Sequence, residues 1–377
     1  MQRSVHNLAH HLARRGHEVS IATHAPGRVG MATASDGELP VLRLNVPDPF
    51  VFNPIQRARR YAFDLRNVPT LLAWCRARRV QIVHCHLINV DTRYAFVVAR
   101  RTGVKTVVTL RGGETEHWLE AHPNRTRYVR NVLERADWVT AVAQGLLGQA
   151  RALVPAIAGK SSVVPNGVVP ADLAQRADEC RPIAPTEHPY VLFVGRLEAM
   201  KDVEVLIDAF AFACTNPTFA HALVIAGSGS LGPALEQRAR GVAGDRITFV
   251  GSTTYPESLR LIRDAAVLAL PSVSSEGCPN VVLEAMALGT PVVVSDLASL
   301  REIVGNGEAG AIFPRGDARA LAQRLIETTA DASLRDRYVQ AARARLDARH
   351  RVDDVVAQYE RVYERVLGVS SGAIKAS

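Results

Sequence analysis

The stretch SSEGCPNVVLEAMALGTPVV, residues 274–293, contains two carboxylates with seven residues between them, Glu276 and Glu284. A polar loop comes first, and an apolar run then predicts a helix over 279–288. Gly289, followed by Thr-Pro and a run of valines, is typical of a helix end that leads into a buried strand. The stretch therefore predicts one step of an alternating α/β fold with both carboxylates near a helix start.

The start of this helix is a candidate binding site. Pro279 suits the first helical position, because its missing N–H would be unpaired there in any case. The backbone amides of Asn280 and Val281 then point out of the helix start, where they can bind a phosphate. A carboxylate beside a phosphate is repulsive, so Glu276 and Glu284 are better suited to accept hydrogen bonds from sugar or ribose hydroxyls. A surface glutamate next to an ordinary capped helix is an equally good interpretation of the stretch alone.

Three further segments occur with this one in a fixed order: VPNGV at 164–168, FVGRLEAMKD at 193–202 and VIAGSG at 224–229. Together the four segments resemble the signature of retaining glycosyltransferases of family GT4. The resemblance covers nearly the whole chain and is strongest over 160–315. It implies an α/β protein with the GT-B fold, in which two Rossmann-like domains with parallel sheets face each other across a cleft.

The resemblance also implies a role for each charged residue of these segments. Glu276 would contact hydroxyls of the transferred sugar, and Glu284 would hold the ribose hydroxyls of the donor. Arg196 and Lys201 would bind the diphosphate and stabilise its charge as it leaves, although a merely solvated pair of cations is the alternative. No Asp-x-Asp metal motif follows a strand, so we expect no bound metal and no cofactor beyond the nucleotide-sugar substrate. Asp202 replaces the glycine that usually follows the lysine.

Residues 227–232, GSGSLG, match the G-x-G-x-x-G pattern of dinucleotide-binding sites. An NAD site also needs an acidic residue at the end of the next strand, to hold the ribose. The strand predicted over 246–250 is followed by Gly-Ser-Thr, with no acid. We therefore expect Gly227 and Gly229 to let the backbone approach a donor nucleotide, as the family resemblance implies.

The totals describe an ordinary globular protein of two domains. A chain of 377 residues is long for one hydrophobic core. No apolar run approaches the 18 residues of a membrane span, and the N-terminus lacks an apolar signal region. The five cysteines are scattered without metal-ligand spacing, which is typical of reduced thiols in a cytoplasm. We predict a cytoplasmic protein.

The charge is uneven along the chain. Residues 1–188 contain 25 Lys and Arg against 15 Asp and Glu, whereas residues 189–377 contain 20 against 22. The basic half predicts peripheral contact with an anionic membrane or a lipid-diphosphate acceptor, and a solvated arginine-rich surface is the alternative. An arginine-rich helical stretch broken at Pro69 is the candidate membrane-facing surface, or else a plain two-helix cover on the sheet. No nucleic-acid-binding pattern is present, so we expect no nucleic-acid partner.

Element patterns place the boundaries of the domains. We predict a first, acceptor-side domain over 1–170, a linker over 171–188 and a nucleotide-sugar-binding domain over 189–349. A last helix over 350–368 should cross back to the first domain, as it does in GT-B proteins.

The N-terminus departs from the family. A relative would begin with a buried strand and a glycine-rich loop, but this sequence begins at a helix predicted over 2–16. The lost strand would be central in a parallel sheet, so its absence should be severely destabilising. We expect a start codon set too far downstream rather than a protein that lacks the strand.

Arg111 is a second departure. It follows a strand predicted over 106–110, at a position where many GT4 enzymes have a histidine close to the transferred sugar. An arginine cannot act as a general base, so we expect a charge contact to a phosphate or an acidic acceptor; a structural salt bridge is the alternative. His84 and His86 alternate on a strand and should line or support the cleft, since no third residue at a suitable spacing completes a metal site.

The sequence therefore predicts a metal-independent, retaining transferase that moves a sugar from a nucleotide-diphosphate sugar to a glycan or lipid-linked acceptor. Two alternatives stay open. One is a GT-B nucleotide-sugar epimerase, which would need acid and base groups that the sequence does not identify. The other is a catalytically inactive nucleotide-sugar-binding partner, a reading favoured by the missing strand and by Arg111.

Overall fold

The structure is a computed structural model, and it describes residues 2–24, 32–36, 39–44, 54–89, 92–113, 123–181, 187–242, 244–274 and 276–369. The chain divides into two compact units. The first consists of Met1–Pro165 and Val352–Ser377, and the second of Asn166–Arg351. Among the described residues, no helix combines the length and the apolar character needed to cross a membrane.

The first unit alternates strands and helices. Its elements are α1 (Gln2–Arg14), β1 (Ile21–His24), β2 (Ala32–Asp36), β3 (Leu39–Leu44), α2 (Pro54–Ala77), β4 (Ile82–His86), α3 (Thr92–Thr102), β5 (Lys105–Leu110), α4 (Pro123–Arg135), β6 (Trp138–Ala141), α5 (Gln144–Leu153), β7 (Ser161–Val163) and the final helix, α14 (Val352–Leu367). The strands form two sheets, in the orders β1-β3-β2 and β4-β5-β6-β7. All pairs are parallel except β2 with β3.

Helix α2 differs from the sequence-based expectation. It runs without interruption through Pro69, although proline removes one helical hydrogen bond and costs about 3 kcal/mol in a helix interior. The residues on either side of Pro69 are buried in a core cluster with β3 and α3: Leu42, Leu44, Val68, Leu71, Leu72, Cys75, Tyr94 and Val98. The prediction of a break at Pro69 was wrong, because burial of this stripe outweighs the local cost. Val68, Leu71 and Leu72 of α2 pack in the core of the unit, whereas Leu65 is 61% exposed.

Strand β2 was also missed, since the sequence over 24–40 indicated only a loop. The strand pairs antiparallel with β3, from Ala32 opposite Arg43 to Asp36 opposite Leu39. Its residues, Ala-Thr-Ala-Ser-Asp, lack the apolar alternation that would have indicated a strand. Pairing with a neighbouring strand, rather than local propensity, produces it.

The second unit is the regular one. Its elements are α6 (Pro170–Asp178), β8 (Tyr190–Val194), α7 (Val203–Ala213), β9 (Ala222–Ala226), α8 (Gly232–Val242), β10 (Ile247–Gly251), α9 (Tyr255–Asp264), β11 (Val267–Leu270), α10 (Asn280–Leu288), β12 (Val292–Ser295), α11 (Ala298–Ile303), β13 (Ala311–Phe313), α12 (Ala318–Ala330) and α13 (Ala332–Arg349). Six parallel strands form one sheet in the order β10-β9-β8-β11-β12-β13. Every residue of β9, β11 and β12 is buried, as expected for a parallel sheet covered on both faces.

Two boundaries bear on the predicted domains. The segment predicted as a linker contains α6, which packs on α9 and α10 within the second unit. Helix α14 belongs to the first unit, where it packs on α1. Within that unit Glu360 of α14 accepts hydrogen bonds from Arg15 at 2.5 Å and His17 at 3.0 Å.

Candidate active site

The strand order of the second unit places two loops side by side. Numbered within the unit, the order is 3-2-1-4-5-6, so the direction of winding reverses between β8 and β11. Parallel α/β sheets bind ligands at this switch point, outside the carboxyl ends of the strands. The loop after β8 contains Arg196 and Lys201, and the loop after β11 contains Glu276. Topology alone therefore brings three of the predicted site residues to one edge of the sheet.

Lys201 and Glu276 form a direct ion pair. Their side chains are only 14% and 8% exposed, so solvent screens the pair much less than a surface salt bridge. A second link joins the same two loops, because the Val273 amide donates to the Met200 carbonyl at 3.0 Å. Arg196 is exposed, and its guanidinium approaches the Met200 sulfur at 3.7 Å.

Two serines fix the position of Glu276. Ser272 Oγ donates to Glu276 Oε1 at 2.6 Å, and Ser299 Oγ of α11 donates to the Glu276 carbonyl at 2.6 Å. The carboxylate and the backbone of this residue are thus held from different elements. This support could not be predicted from the sequence, because isolated serines occur at many positions without such a role.

The start of α10 differs in one detail from the expected geometry. Pro279 is the residue before the helix, with φ −67° and ψ 121°, and the helix begins at Asn280. The prediction of proline at the first helical position was therefore wrong by one residue. The Val282 amide donates to the Pro279 carbonyl at 3.2 Å, and proline has no amide hydrogen. The amides of Asn280 and Val281 are therefore the ones that the helix start offers to the expected phosphate site. Gly289 ends the helix in the left-handed region, with φ 80°, as expected.

Asn166 holds this helix start in place. Its side-chain amide donates to the Cys278 carbonyl at 2.7 Å and to Asn280 Oδ1 at 2.9 Å. Its own carbonyl contacts His350 Nδ1 at 2.9 Å, and burial is the main reason that the pKa of His350 is lowered. The sequence Pro165-Asn166-Gly167 indicated only a tight turn, so the supporting role of Asn166 was missed.

Glu284 lies one turn into α10 and is 4% exposed. The hydroxyl of Tyr255, the first residue of α9, donates to Glu284 Oε1 at 3.2 Å. Burying a carboxylate is costly unless it is hydrogen-bonded, and such a group is well suited to accept further hydrogen bonds from ligand hydroxyls. Tyr255 is a second supporting residue that the sequence did not reveal.

Gly227 and Gly229 lie directly against the backbone of the loop after β8. A Cβ at Gly227 would lie 1.8 Å from the Gly195 carbonyl oxygen, and one at Gly229 would lie 2.3 Å from the Leu197 carbonyl oxygen. The two glycines therefore let the loop after β9 pack on the loop after β8. Their absent side chains make room for protein backbone.

Further hydrogen bonds tie these two loops together. The Leu197 amide donates to the Ser228 carbonyl at 3.0 Å, and the Leu231 amide donates to the Leu197 carbonyl at 3.0 Å. Glu198 accepts from the Ser230 hydroxyl at 2.7 Å and from the Ser230 amide at 3.2 Å. These bonds to Ser230 lower the pKa of Glu198. The loop that contains Arg196 and Lys201 is thus held on both sides, by 227–232 and by 272–276.

Arg111 belongs to the first unit, at the carboxyl end of β5. Its guanidinium contacts His86 Nδ1 at 3.0 Å through Nη2 and at 3.3 Å through Nε. The rings of His86 and His84 are in contact, with centroids 4.0 Å apart and planes tilted by 37°. Burial, then His84 and Arg111, lowers the pKa of His86 well below its usual range, so the ring accepts from Arg111 as a neutral imidazole.

His84 is the centre of a half-buried chain of polar side chains. Its Nδ1 contacts the Tyr363 hydroxyl of α14 at 2.8 Å, and its Nε2 contacts Thr109 Oγ1 at 2.6 Å. Burial, with a smaller contribution from Arg111, lowers the pKa of His84 to about 3. Both ring nitrogens are occupied by protein partners, so His84 supports the strand ends. Glu114, the acidic residue shortly after Arg111, lies outside the described residues.

Within the described ranges, no group of three or more His, Cys, Asp and Glu side chains could hold a metal ion.

Comparisons with known proteins agree with this geometry. A family model described as "Glycosyltransferase Family 4" matches residues 1–172, and one described as "Glycosyl transferases group 1" matches residues 188–331. The phosphatidyl-myo-inositol mannosyltransferase of Mycobacterium leprae is 37% identical over 193 residues, which cover 50% of this chain and 49% of that protein. The chain thus spans about half the length of this curated relative. The N-acetyl-alpha-D-glucosaminyl L-malate synthase of Bacillus anthracis is 25% identical over 96% of the chain and 92% of its own length.

Solved structures show the same fold. Sucrose-phosphate synthase from Thermosynechococcus elongatus superposes with a TM-score of 0.75 at 23% identity, covering 97% of this chain and 93% of that one. The Anabaena HepE protein in complex with UDP superposes with a TM-score of 0.71 at 18% identity, covering 87% and 86%. The GT-B fold predicted from the sequence is confirmed.

Proposed function

We propose a sugar-transfer reaction for this chain, which belongs to the family 4 glycosyltransferases. In this reaction a sugar passes from a nucleotide-diphosphate sugar to a glycan or lipid-linked acceptor. The observation that carries the proposal is the Lys201–Glu276 pair at the switch point of the sheet. Glu284 is buried nearby in the sequence, one turn into α10. This arrangement combines a cation for a diphosphate with two carboxylates for hydroxyls. The curated relatives include a phosphatidyl-myo-inositol mannosyltransferase and an N-acetyl-alpha-D-glucosaminyl L-malate synthase, and these names support the class of reaction.

In this proposal each residue has a separate task. Lys201 and exposed Arg196 bind the diphosphate and stabilise the charge that develops on it as the sugar leaves. Glu276 accepts hydrogen bonds from hydroxyls of the transferred sugar, and Glu284 accepts them from the ribose. The amides of Asn280 and Val281 contribute at the start of α10. No residue of the second unit is needed as a metal ligand.

The proposed chemistry keeps the anomeric configuration. The bond between the anomeric carbon and the donor phosphate oxygen breaks, and a bond to the acceptor oxygen forms on the same face of the sugar. The proton of the acceptor hydroxyl passes to the departing phosphate oxygen. A general base from the protein is then unnecessary, which fits the neutral, fully engaged His84 and an arginine at position 111.

The ion pair also suggests what the donor must do. A diphosphate that takes Lys201 as its partner competes with Glu276, which then turns to the sugar hydroxyls while Ser272 still donates to it. One donor would thus supply a new partner to both members of the pair. Binding of the nucleoside diphosphate alone would replace only one of them.

Peripheral contact with an anionic membrane through the basic first unit is part of the proposal. Exposed arginines occur on α3 and α4, among them Arg100, Arg101, Arg127 and Arg130. Co-sedimentation with anionic vesicles, but not with zwitterionic ones, should fall as salt is raised. Equal binding to both vesicle types, or none at low salt, would count against the membrane contact and leave the transfer reaction untouched.

A thermal-shift panel with UDP, GDP, ADP and NAD tests the donor site. UDP comes first, because HepE structures are solved with UDP and with UDP-glucose. A ligand at 100 times its Kd should stabilise the protein by about 2.7 kcal/mol. We expect one nucleoside diphosphate to raise the melting temperature. Glu284→Gln should weaken the affinity for that nucleotide at least tenfold. Glu236→Gln on the exposed surface of α8 is the matched control and should bind as the original protein does.

Two results would contradict the proposal. A shift with NAD alone would indicate a dinucleotide site instead. Nucleotide binding unaffected by Glu284→Gln would mean that the ribose lies elsewhere. With the donor class known, release of nucleoside diphosphate from the sugar donor in the presence of an acceptor distinguishes a transferase from an inactive binding partner.

A further inference from the structure

A second cavity lies in the second unit, along the edge strand β13. Its volume is about 320 Å³, within the range of sites for small molecules. Its lining includes two cations, three other polar groups and one buried ring: Arg301, Arg324, Asp296, Asn306, Tyr338 and Phe313. None of these residues belongs to the candidate active site, and neither the family resemblance nor the comparisons give this cavity a role.

We propose that this cavity binds a small phosphorylated sugar and that its occupant influences the loop that contains Glu276. Binding is independent of the proposed function. Only its effect on the donor site rests on that function.

The two arginines supply the phosphate contact. They come from different elements, Arg301 from α11 and Arg324 from α12. A guanidinium offers a planar fork of donors that fits phosphate oxygens in pairs. Within the described residues Arg301 makes no ion pair, and its side chain is exposed. Arg324 donates to Glu327 at 2.8 Å, but that pair is 48% and 38% exposed; such surface pairs contribute little and exchange partners readily.

The remaining lining suits a sugar rather than a bare phosphate. Asn306 and Asp296 offer amide and carboxylate groups for hydroxyls, while the rings of Tyr338 and Phe313 offer an apolar wall. Asn306 lies in a tight turn, in which it has a φ of 55° and its neighbours Gly305 and Gly307 also have positive φ values. A volume near the lower end of the small-molecule range favours a single phosphorylated sugar over a complete nucleotide sugar.

Two short routes join the cavity to the active-site loop. Asp296 Oδ1 accepts from Arg315 N at 3.2 Å and Nε at 3.1 Å, and Arg315 Nη1 reaches the Val273 carbonyl at 3.4 Å. On the other route, Ser299 donates to the Glu276 carbonyl two residues before Arg301 in the same helix. A ligand that binds Asp296 or Arg301 therefore makes better contacts with one arrangement of the loop that ends at Glu276 than with another. Such a difference in binding between two arrangements is what coupling of two sites requires.

Calorimetric titration with glucose 6-phosphate, inorganic phosphate and glucose tests the binding step. We expect glucose 6-phosphate to bind, glucose not to bind, and inorganic phosphate to bind at least tenfold more weakly. Arg301→Gln and Arg324→Gln should each weaken glucose 6-phosphate binding about tenfold, the effect of losing one charged hydrogen-bonded contact. Arg240→Gln, an exposed arginine on α8 away from the cavity, is the matched control and should change nothing.

The proposal is overturned if glucose 6-phosphate does not bind at millimolar concentration, or if it binds equally to the Arg301 and Arg324 variants. Equal binding of inorganic phosphate would overturn the sugar assignment. The effect on the loop is measured as a change of at least threefold in nucleoside-diphosphate affinity when the cavity is saturated, absent in Arg301→Gln. Glu284→Gln should lose nucleotide binding and keep glucose 6-phosphate binding, so failure of the donor site and failure of the cavity are distinguished.

Discussion

Lys201 and Glu276 are two nearly buried charges that satisfy each other. Taking such charges out of water is costly, and removal of one partner leaves the other buried and unpaired. The two residues do not lose equally. Glu276 keeps the hydrogen bond from Ser272, whereas no comparable second partner of Lys201 is seen in the described part of the chain. The free energy of unfolding of the ligand-free protein therefore measures the interaction between Lys201 and Glu276, even when the donor is not known.

Lys201→Met is expected to lower the free energy of unfolding by about 3 kcal/mol. Glu276→Gln should cost at least as much, because it leaves the nearly buried Lys201 ammonium without a counter-charge. In the double variant the two costs should not add, since neither member is then a buried, unpaired charge. Urea unfolding of the four proteins measures this. Additive costs would show that the two side chains do not interact in solution.

Asp202 is strained at the backbone. Its φ of 49° and ψ of 45° lie in the left-handed region, which costs a residue with a side chain about 1–2 kcal/mol relative to glycine. Burial, followed by repulsion from Glu204, raises the pKa of Asp202. A raised folded-state pKa means that the protonated acid is favoured, so Asp202 costs additional stability once the pH rises through that pKa.

Asp202→Gly should therefore stabilise the protein by about 1 kcal/mol, provided that the flexibility of glycine in the unfolded chain does not cancel the gain. Asp202→Asn keeps the backbone demand and removes only the charge. Its gain should be small at pH 3 and larger at pH 7. Thermal unfolding at both pH values separates the two effects, and a gain for Asp202→Asn that does not depend on pH would refute the electrostatic part.

At the scale of elements, the contact between the loops after β8 and β9 depends on missing side chains. A Cβ at Gly227 would overlap the Gly195 carbonyl at 1.8 Å, and φ at Gly227 is 140°. Gly241 is the opposite case, because nothing lies within 4 Å of its Cβ position near the end of α8. The two glycines offer a matched pair of alanine substitutions.

Gly227→Ala is expected to destabilise the second unit by more than 3 kcal/mol, because backbone must move. Gly241→Ala should stabilise it by several tenths of a kcal/mol through helix propensity. Urea unfolding at one pH compares them. Similar small effects for both would mean that the β8 and β9 loops separate easily in solution.

The same loop shows how far the sequence could predict the site. Short apolar runs between helices predicted the strands of the second unit, near 190–195, 222–226, 246–250, 266–270, 291–294 and 309–313, because parallel strands covered on both faces are largely apolar. The motif glycines were found, but the loop-to-loop contact that they permit was not, since a spacing of glycines does not say which backbone lies against them. Asn166 and Tyr255 were missed because each acts on residues more than 25 positions away. Pro69 misled for a related reason, since the packing that overrides it involves β3 and α3.

At the scale of the whole molecule, both units contain partly or fully buried histidines whose surroundings favour the neutral form. The pKa values of His84 and His86 in the first unit, and of His221 and His350 in the second, are all lowered, with burial the largest cause in each case. A histidine in the unfolded chain has a pKa near 6.5. Below that pH the unfolded chain binds protons that the folded units exclude, so stability falls as the pH falls toward the folded-state pKa values.

For His84, with a folded-state pKa of about 3, the loss should amount to about 1.4 kcal/mol for each pH unit below 6.5. Between pH 6.5 and pH 5 this single residue therefore contributes about 2 kcal/mol of acid sensitivity. The carboxylates whose pKa values are lowered, such as Asp137 and Glu360, do not titrate in that window.

His84→Gln keeps a donor and an acceptor for Tyr363 and Thr109 but has no proton to gain. The free energy of unfolding of this variant and of the original protein is measured in urea at pH 7, 6 and 5. At pH 7 the value should be lower for the variant. As the pH falls to 5 the variant should lose less stability, so that the difference between the two proteins shrinks by about 2 kcal/mol. Parallel curves would show that His84 is accessible to protons in the folded first unit, and that its hydrogen bonds to α14 open well below the global unfolding free energy.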